Sequence, residues 1–129
     1  MKNITTIGRI LFALPFALFG INHFLMTDYY LGMLTSFIPF GAYTIILTGI
    51  MLIVTSISIM FRKYVRISTI VLAILLLMFI CTIHIPHLIN HRDVTATLIA
   101  LLKDISLLGG SLMIAGIYSE DEKSKSLFK

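Results

Sequence analysis

Three of the chain's four histidines fall within one short stretch, CTIHIPHLINHRD, residues 81 to 93. Histidine side chains exchange protons near neutral pH, donate hydrogen bonds, and ligate metals or haem iron. His84 and His87 are three residues apart, and His87 and His91 are four apart. On a helix these spacings put the rings on one face, as two metal ligands require. Pro86 interrupts the pattern, because it disfavours helix at Ile85. The fourth histidine, His23, ends a different apolar run, and Arg9 lies near that run's start. A third run contains Lys103 and Asp104 side by side. Proton-donating His23, His84 and Lys103, with Asp104 as relay and His87 beside them in the candidate polar site, would suit a ligand that gains or loses protons.

The elements that must position these groups are apolar. Of 129 residues, 58% are hydrophobic and only 12% are charged. A soluble domain of this length has too little interior for so much apolar surface. A membrane span takes roughly 20 such residues, so the chain has room for four spans and no separate soluble domain. The spans are expected at about residues 4–26, 42–61, 67–83 and 94–118, with 119–129 as a frayed, solvated tail. Residues 27–40 should form a short interfacial helix or re-entrant turn, anchored by Tyr29, Tyr30, Phe37 and Phe40 and ended by Pro39 and Gly41. The first span is too long for a cleaved leader, Arg9 interrupts it, and no small-x-small site follows.

Arg62, Lys63 and Arg66 crowd the connection between the second and third spans. The positive-inside rule makes that connection cytoplasmic. The expected fold is therefore an all-α integral membrane four-helix bundle with cytoplasmic N and C termini, and the histidine-rich turn lies on the outer side. The formal charge of +4 reflects these span ends, and no basic patch with interleaved aromatics points to nucleic acid.

Each span carries one stripe of small or polar residues: Arg9, Ala13, Phe16, Gly20 and His23; Thr44, Thr48, Met51, Thr55 and Ser58; Ala73, Leu77, Cys81 and His84; Thr97, Leu101, Asp104, Leu108, Ser111 and Ala115. Such stripes pack membrane helices together, and that role suffices for the small and hydroxylated positions. Charges are costlier at depth. Arg9 can snorkel to headgroups at the cytoplasmic end. Asp104 lies ten residues into its span, roughly 15 Å deep, so it needs a polar partner. His23, His84, Lys103, Thr44 and Thr48 are the candidates. Lys103 either snorkels outward or bends toward the bundle. His84 is expected to turn inward and meet His23, His91 to face water, and His87 to follow whatever Pro86 permits.

GRILFALPFALFGINHF, residues 8–24, and LLKDISLLGGSLMIAG, residues 101–116, resemble the first and last spans of DoxX-like membrane proteins. Span number and order extend the likeness over about residues 5–117. The matching positions are Gly8, Arg9, Lys103, Asp104, Gly109 and Gly110. The three histidines at 84, 87 and 91 are not part of that pattern. The resemblance implies a multi-pass protein of the bacterial plasma (inner) membrane, linked to quinone-coupled or thiol-related redox systems as a subunit or partner.

The reading that joins residues and resemblance is a quinone-linked membrane subunit with a polar site in the outer half of the bundle. The alternative is a non-catalytic scaffold whose histidines merely face the interface. Haem b held by His23 with His84 or His87 fits less well, because those positions lie at span ends. A metal site is set back by Pro86, and no metal is assigned. A transporter would need an inverted repeat, and none is visible. The expected partners are lipid, redox-complex proteins and a second copy of the chain. No Gly-x-Ser-x-Gly, P-loop or HExxH occurs. Cys81 is the single cysteine. It can form no disulfide within the chain, and it is expected to be packed and inert beside His84.

Overall fold

The computed structural model describes residues 2–33 and 41–127, and all regular structure among them is helical. The order is α1 (Lys2–Leu25), a short α2 (Thr27–Met33), α3 (Ala42–Met60), α4 (Val65–Phe79), α5 (Ile85–Ile89) and α6 (Val94–Leu127). A π-helical turn, Ile80–His84, joins α4 to α5 without a break. Four stretches are long and apolar enough to cross a membrane: Asn3–Leu25, Ala42–Met60, Val65–Ile89 and Val94–Ser119. The first, second and fourth match the expected boundaries closely. A short helix, α2, follows the first span where an interfacial helix or re-entrant turn was expected, while Phe37, Pro39 and Phe40 lie outside the described residues. The backbone of α6 continues helically to Leu127, where a frayed tail was expected. Glu and Lys, frequent in that tail, are good helix formers.

The third span departs from expectation. It runs six residues beyond position 83, through Pro86, and Ile85 is helical at φ −64 and ψ −47. Proline removes one helical hydrogen bond, and its ring presses on the carbonyl four residues back. The wider π turn directly ahead of it moves that carbonyl aside, so the helix absorbs the proline as a bulge. His84 closes the π turn, and His87 sits inside α5.

Helix α1 lies along α3, and α4 lies along α6; α3 and α4 join the two pairs. The α3–α4 connection is tight, with Arg62 and Tyr64 both left-handed at φ 59 and 53. Two glycines bring α1 and α3 together. A Cβ on Gly20 would stand 2.8 Å from the Gly49 carbonyl oxygen, and one on Gly49 would stand 2.9 Å from the His23 Cβ. Nearby, the Ser56 hydroxyl donates to the Ala13 carbonyl at 2.6 Å, an interhelical bond of the kind that holds membrane helices together. The core gathers Ala13, Phe16, Leu52, Ile59, Leu72 and Leu76. Large side chains such as Leu11, Leu18, Val54, Ile67, Ile99 and Leu102 point outward. A bundle with hydroxyls and glycines inside and Leu and Ile outside suits hydrocarbon surroundings.

The expected stripe is buried along α1 from Ala13 to His23, and along α6 it runs inward through Thr97, Asp104, Ser111 and Ala115. In α3 the inner face is Ile45, Gly49, Leu52, Ser56 and Ile59, about one position round from the expected one, with Thr55 common to both environments. The threonines do not demand the interior. Thr48 and Thr55 donate to the carbonyls of Thr44 and Met51 on their own helix, at 2.8 and 2.7 Å. In α4 the inner face is Leu72, Ala73, Leu76 and Ile80, whereas Leu77 and Cys81 are exposed. Cys81 is therefore an outward-facing residue, not a packed one.

Candidate functional site

Opposite ends of the bundle differ in chemistry. At the basic end, the N-terminal half of α1 meets the end of α3 through Arg9, and Arg62 lies 5.9 Å from the Tyr118 ring of α6. At the histidine end, α1, the π turn, α5 and α6 converge with α2.

The central pair at the histidine end is His84 and Asp104. His84 Nε2 lies 2.7 Å from Asp104 Oδ2, and the two side chains are only 12% and 13% exposed. With the carboxylate ionised, the ring N–H donates to it. Asp104 comes inward because it occupies the polar stripe of α6. His84 reaches it because the π turn carries the helix round past the exposed Cys81. An unpaired carboxylate this deep would be costly; of the partners expected for it, His84 is the one bonded.

Beside the pair is a cavity of about 240 Å³. Its body is apolar, with Phe16, Phe19, Leu52, Leu76, Phe79 and Leu107 as walls. Its polar groups are His23, Tyr29, Tyr30, His84, Lys103 and Asp104. His23 is buried, with Nδ1 2.6 Å from the Phe19 carbonyl oxygen. A carbonyl only accepts, so Nδ1 carries a proton, and the neutral ring keeps Nε2 as its acceptor. The His23 ring stacks on Tyr30 at 4.1 Å and 14°. The Lys103 side chain is exposed, and its ammonium lies 5.5 Å from the centroid of Phe19, a cation–π contact from α6 to α1.

A second cavity, about 410 Å³, adjoins the first at the turn after α5. Its polar lining comes from Tyr29, His84, His87, Arg92, Asp93 and Thr97. His84, Tyr29 and Ala100 border both cavities. His87 is buried, and His91 is exposed at φ 54, facing solvent as expected. Arg92 reaches across to the Gly32 carbonyl of α2 at 3.5 Å.

His23 and His84 thus share a cavity, but among the described residues no hydrogen bond joins them; each is engaged elsewhere. Arg9 is remote from this site. It turns inward instead of snorkelling, with Nη1 3.4 Å from the Ile59 carbonyl at the end of α3 and a buried Nε without a hydrogen-bond partner among the described residues. Cations are favoured at a helix C-terminus. Of the glycines in the DoxX-like pattern, Gly110 faces the Phe12 ring, while Gly8 and Gly109 border open space. Among the described residues no group of three His, Cys, Asp or Glu converges as a metal site. Phe19 was not singled out from sequence, and Tyr30 was expected only as an interfacial anchor. The turn at Met26 between α1 and α2 lets Tyr30 fold back on His23, which helical spacing alone does not signal.

Fold and site define a class: a small all-helical bundle with four membrane-length helices and a carboxylate–imidazole pair walling an internal cavity. No family model, curated protein or solved structure matches the chain.

Proposed function

We propose that the chain is a DoxX-like protein of the bacterial inner membrane that binds a quinone-type head group in the cavity beside His84 and Asp104. The observation that carries this reading is a proton-exchanging pair set at the polar edge of an otherwise aromatic and aliphatic cavity. A quinone carbonyl accepts hydrogen bonds, and its reduced hydroxyl gives up protons. Lys103 is a donor within the lining, the His84–Asp104 pair is the proton-exchanging group, and Phe16, Phe19 and Phe79 offer ring faces. A volume of about 240 Å³ lies below the usual range for drug-sized ligands, so it fits a single ring better than a macrocycle. Haem would also need His84 Nε2, which Asp104 engages. Arg62, Lys63 and Arg66 favour a cytoplasmic basic end and termini, with the histidine end outside. The chain would serve as a membrane subunit, exchanging electrons with a partner protein; a second copy of the chain is a further candidate partner.

The test is purification in lipid nanodiscs, extraction of bound lipids for quinone, and tyrosine-fluorescence titration with a short-chain quinone. Wild type should bind. Asp104→Asn and His84→Gln should each weaken binding about tenfold, or about 1.4 kcal/mol. Leu77→Ala, on the exposed face, should not. Absence of binding by wild type would leave the scaffold reading in its place.

A further inference from the structure

The cavity beside Asp104 is dry-walled, yet the carboxylate lies ten residues into α6, roughly 15 Å from the helix start. A proton exchanged there needs a route to water. Toward the basic end the cavity is closed by Phe16, Leu52 and Leu76, which belong to the packed core. On the α1–α6 side stand Phe19 and Lys103, facing the apolar exterior. The remaining sides are α2, where Tyr29 and Tyr30 stand beside His23, and His84, behind which is the second cavity.

We propose that this second cavity is the proton port of the His84–Asp104 pair, with His87 as the intermediate group between His84 and solvent. Three observations support it. His84 borders both cavities, so one side chain separates Asp104 from the larger space. That space, about 410 Å³, has room for a chain of waters and the polar lining to hold one. It ends at Arg92 and Asp93, which are exposed. The buried His87 stands along this route.

The transfer balances as follows. Protonated Asp104 gives its proton to His84 Nε2. The imidazolium so formed releases the proton on Nδ1 to water in the second cavity, and His87 passes it to the surface. Asp104 is left as a carboxylate beside neutral His84, ready for the next proton, and the imidazole resets by exchanging tautomer. The charged and titratable groups facing this path are His23 from α1, Tyr29 and Tyr30 from α2, Lys103 from α6, and Arg92 and Asp93 from the turn. The lining from α3 and α4, Leu52, Leu76 and Phe79, adds none. The port depends on the pair and the two cavities, not on which ligand fills the inner one.

The experiment uses the full chain in vesicles, with Cys81→Ser and Asn90→Cys to score which compartment the histidine end faces. Infrared difference spectra, with Asp104→Asn for assignment, follow the Asp104 carboxyl band after a pH jump on either side. The band should respond to pH on the Asn90→Cys side alone. His87→Leu should slow that response about tenfold or more. Ala96→Phe should do the same by filling the second cavity from its exposed wall, should His87→Leu fail to fold. A band that follows the opposite side, does not respond, or responds at the parent rate in the variants that fold overturns the port. Loss of quinone binding with the band still responsive overturns only the ligand assignment.

Discussion

Asp104 and His84 illustrate what a buried polar pair does to stability. Removing both groups leaves an apolar contact in an apolar place, whereas removing one strands the other. His84→Leu should therefore destabilise by about 2 kcal/mol, and adding Asp104→Leu should recover most of that. Denaturation of the four members of this double-mutant cycle measures the coupling, expected at about 1–3 kcal/mol. Tyr30 offers a separate test on α2, outside the membrane-length helices. Burial, with Tyr29 beside it, raises its phenol above the ordinary value. The folded state holds that proton more tightly than the unfolded chain, so the contribution is complete below about pH 10 and is lost as pH rises beyond it. The phenolate absorbance of wild type minus Tyr30→Phe should show a midpoint above that value. At this scale the sequence exposed the need and not the answer. Asp104's depth demanded a partner, but the choice among five candidates rested on a bulge that hydropathy does not register.

Helices differ in how plainly their inner faces are written. Those of α1 and α6 were legible because Arg9 and Asp104 cannot satisfy themselves locally, so their positions mark the inside. On α3 the threonines bond their own helix and mark nothing, while Gly49 sets the face by its lack of a side chain. Gly49→Ala should push His23 and α1 away and cost about 1–3 kcal/mol. Gly109→Ala, with nothing within 4 Å of its Cβ, should be neutral or stabilising by up to about 1 kcal/mol in a thermal unfolding assay. Pro86 was visible in the sequence as an interruption. Its outcome was not, because a proline ends a helix or bends it according to whether the preceding turn can widen. Pro86→Ala restores the missing N–H and removes the reason for the π turn. His84 should then rotate from Asp104: quinone affinity should fall about tenfold or more while thermal stability holds.

For the whole molecule, length and hydropathy made the four spans legible, and the charges at positions 62, 63 and 66 gave a direction. The N-terminal half of α1 and the C-terminal half of α6 both lie at the basic end. Labelling of Lys63→Cys and Ser119→Cys, in a Cys81→Ser background, should report one compartment, and Asn90→Cys the other. Agreement between all three would refute the four-span topology.

The sides of the bundle are not fastened alike. Between α1 and α3 two glycines interlock and Ser56 bonds across to Ala13. Between α1 and α6 the contacts are the Phe12 ring against Gly110 and the Lys103 ammonium over Phe19. Rings and a flexible ammonium can slide, whereas meshed backbones cannot. The molecule behaves mechanically as a book with a stiff spine and an unglued fore-edge, and the cavity lies between its pages. An amphiphile with a long hydrocarbon tail could seat its head there and leave the tail among the lipids, with every helix still intact.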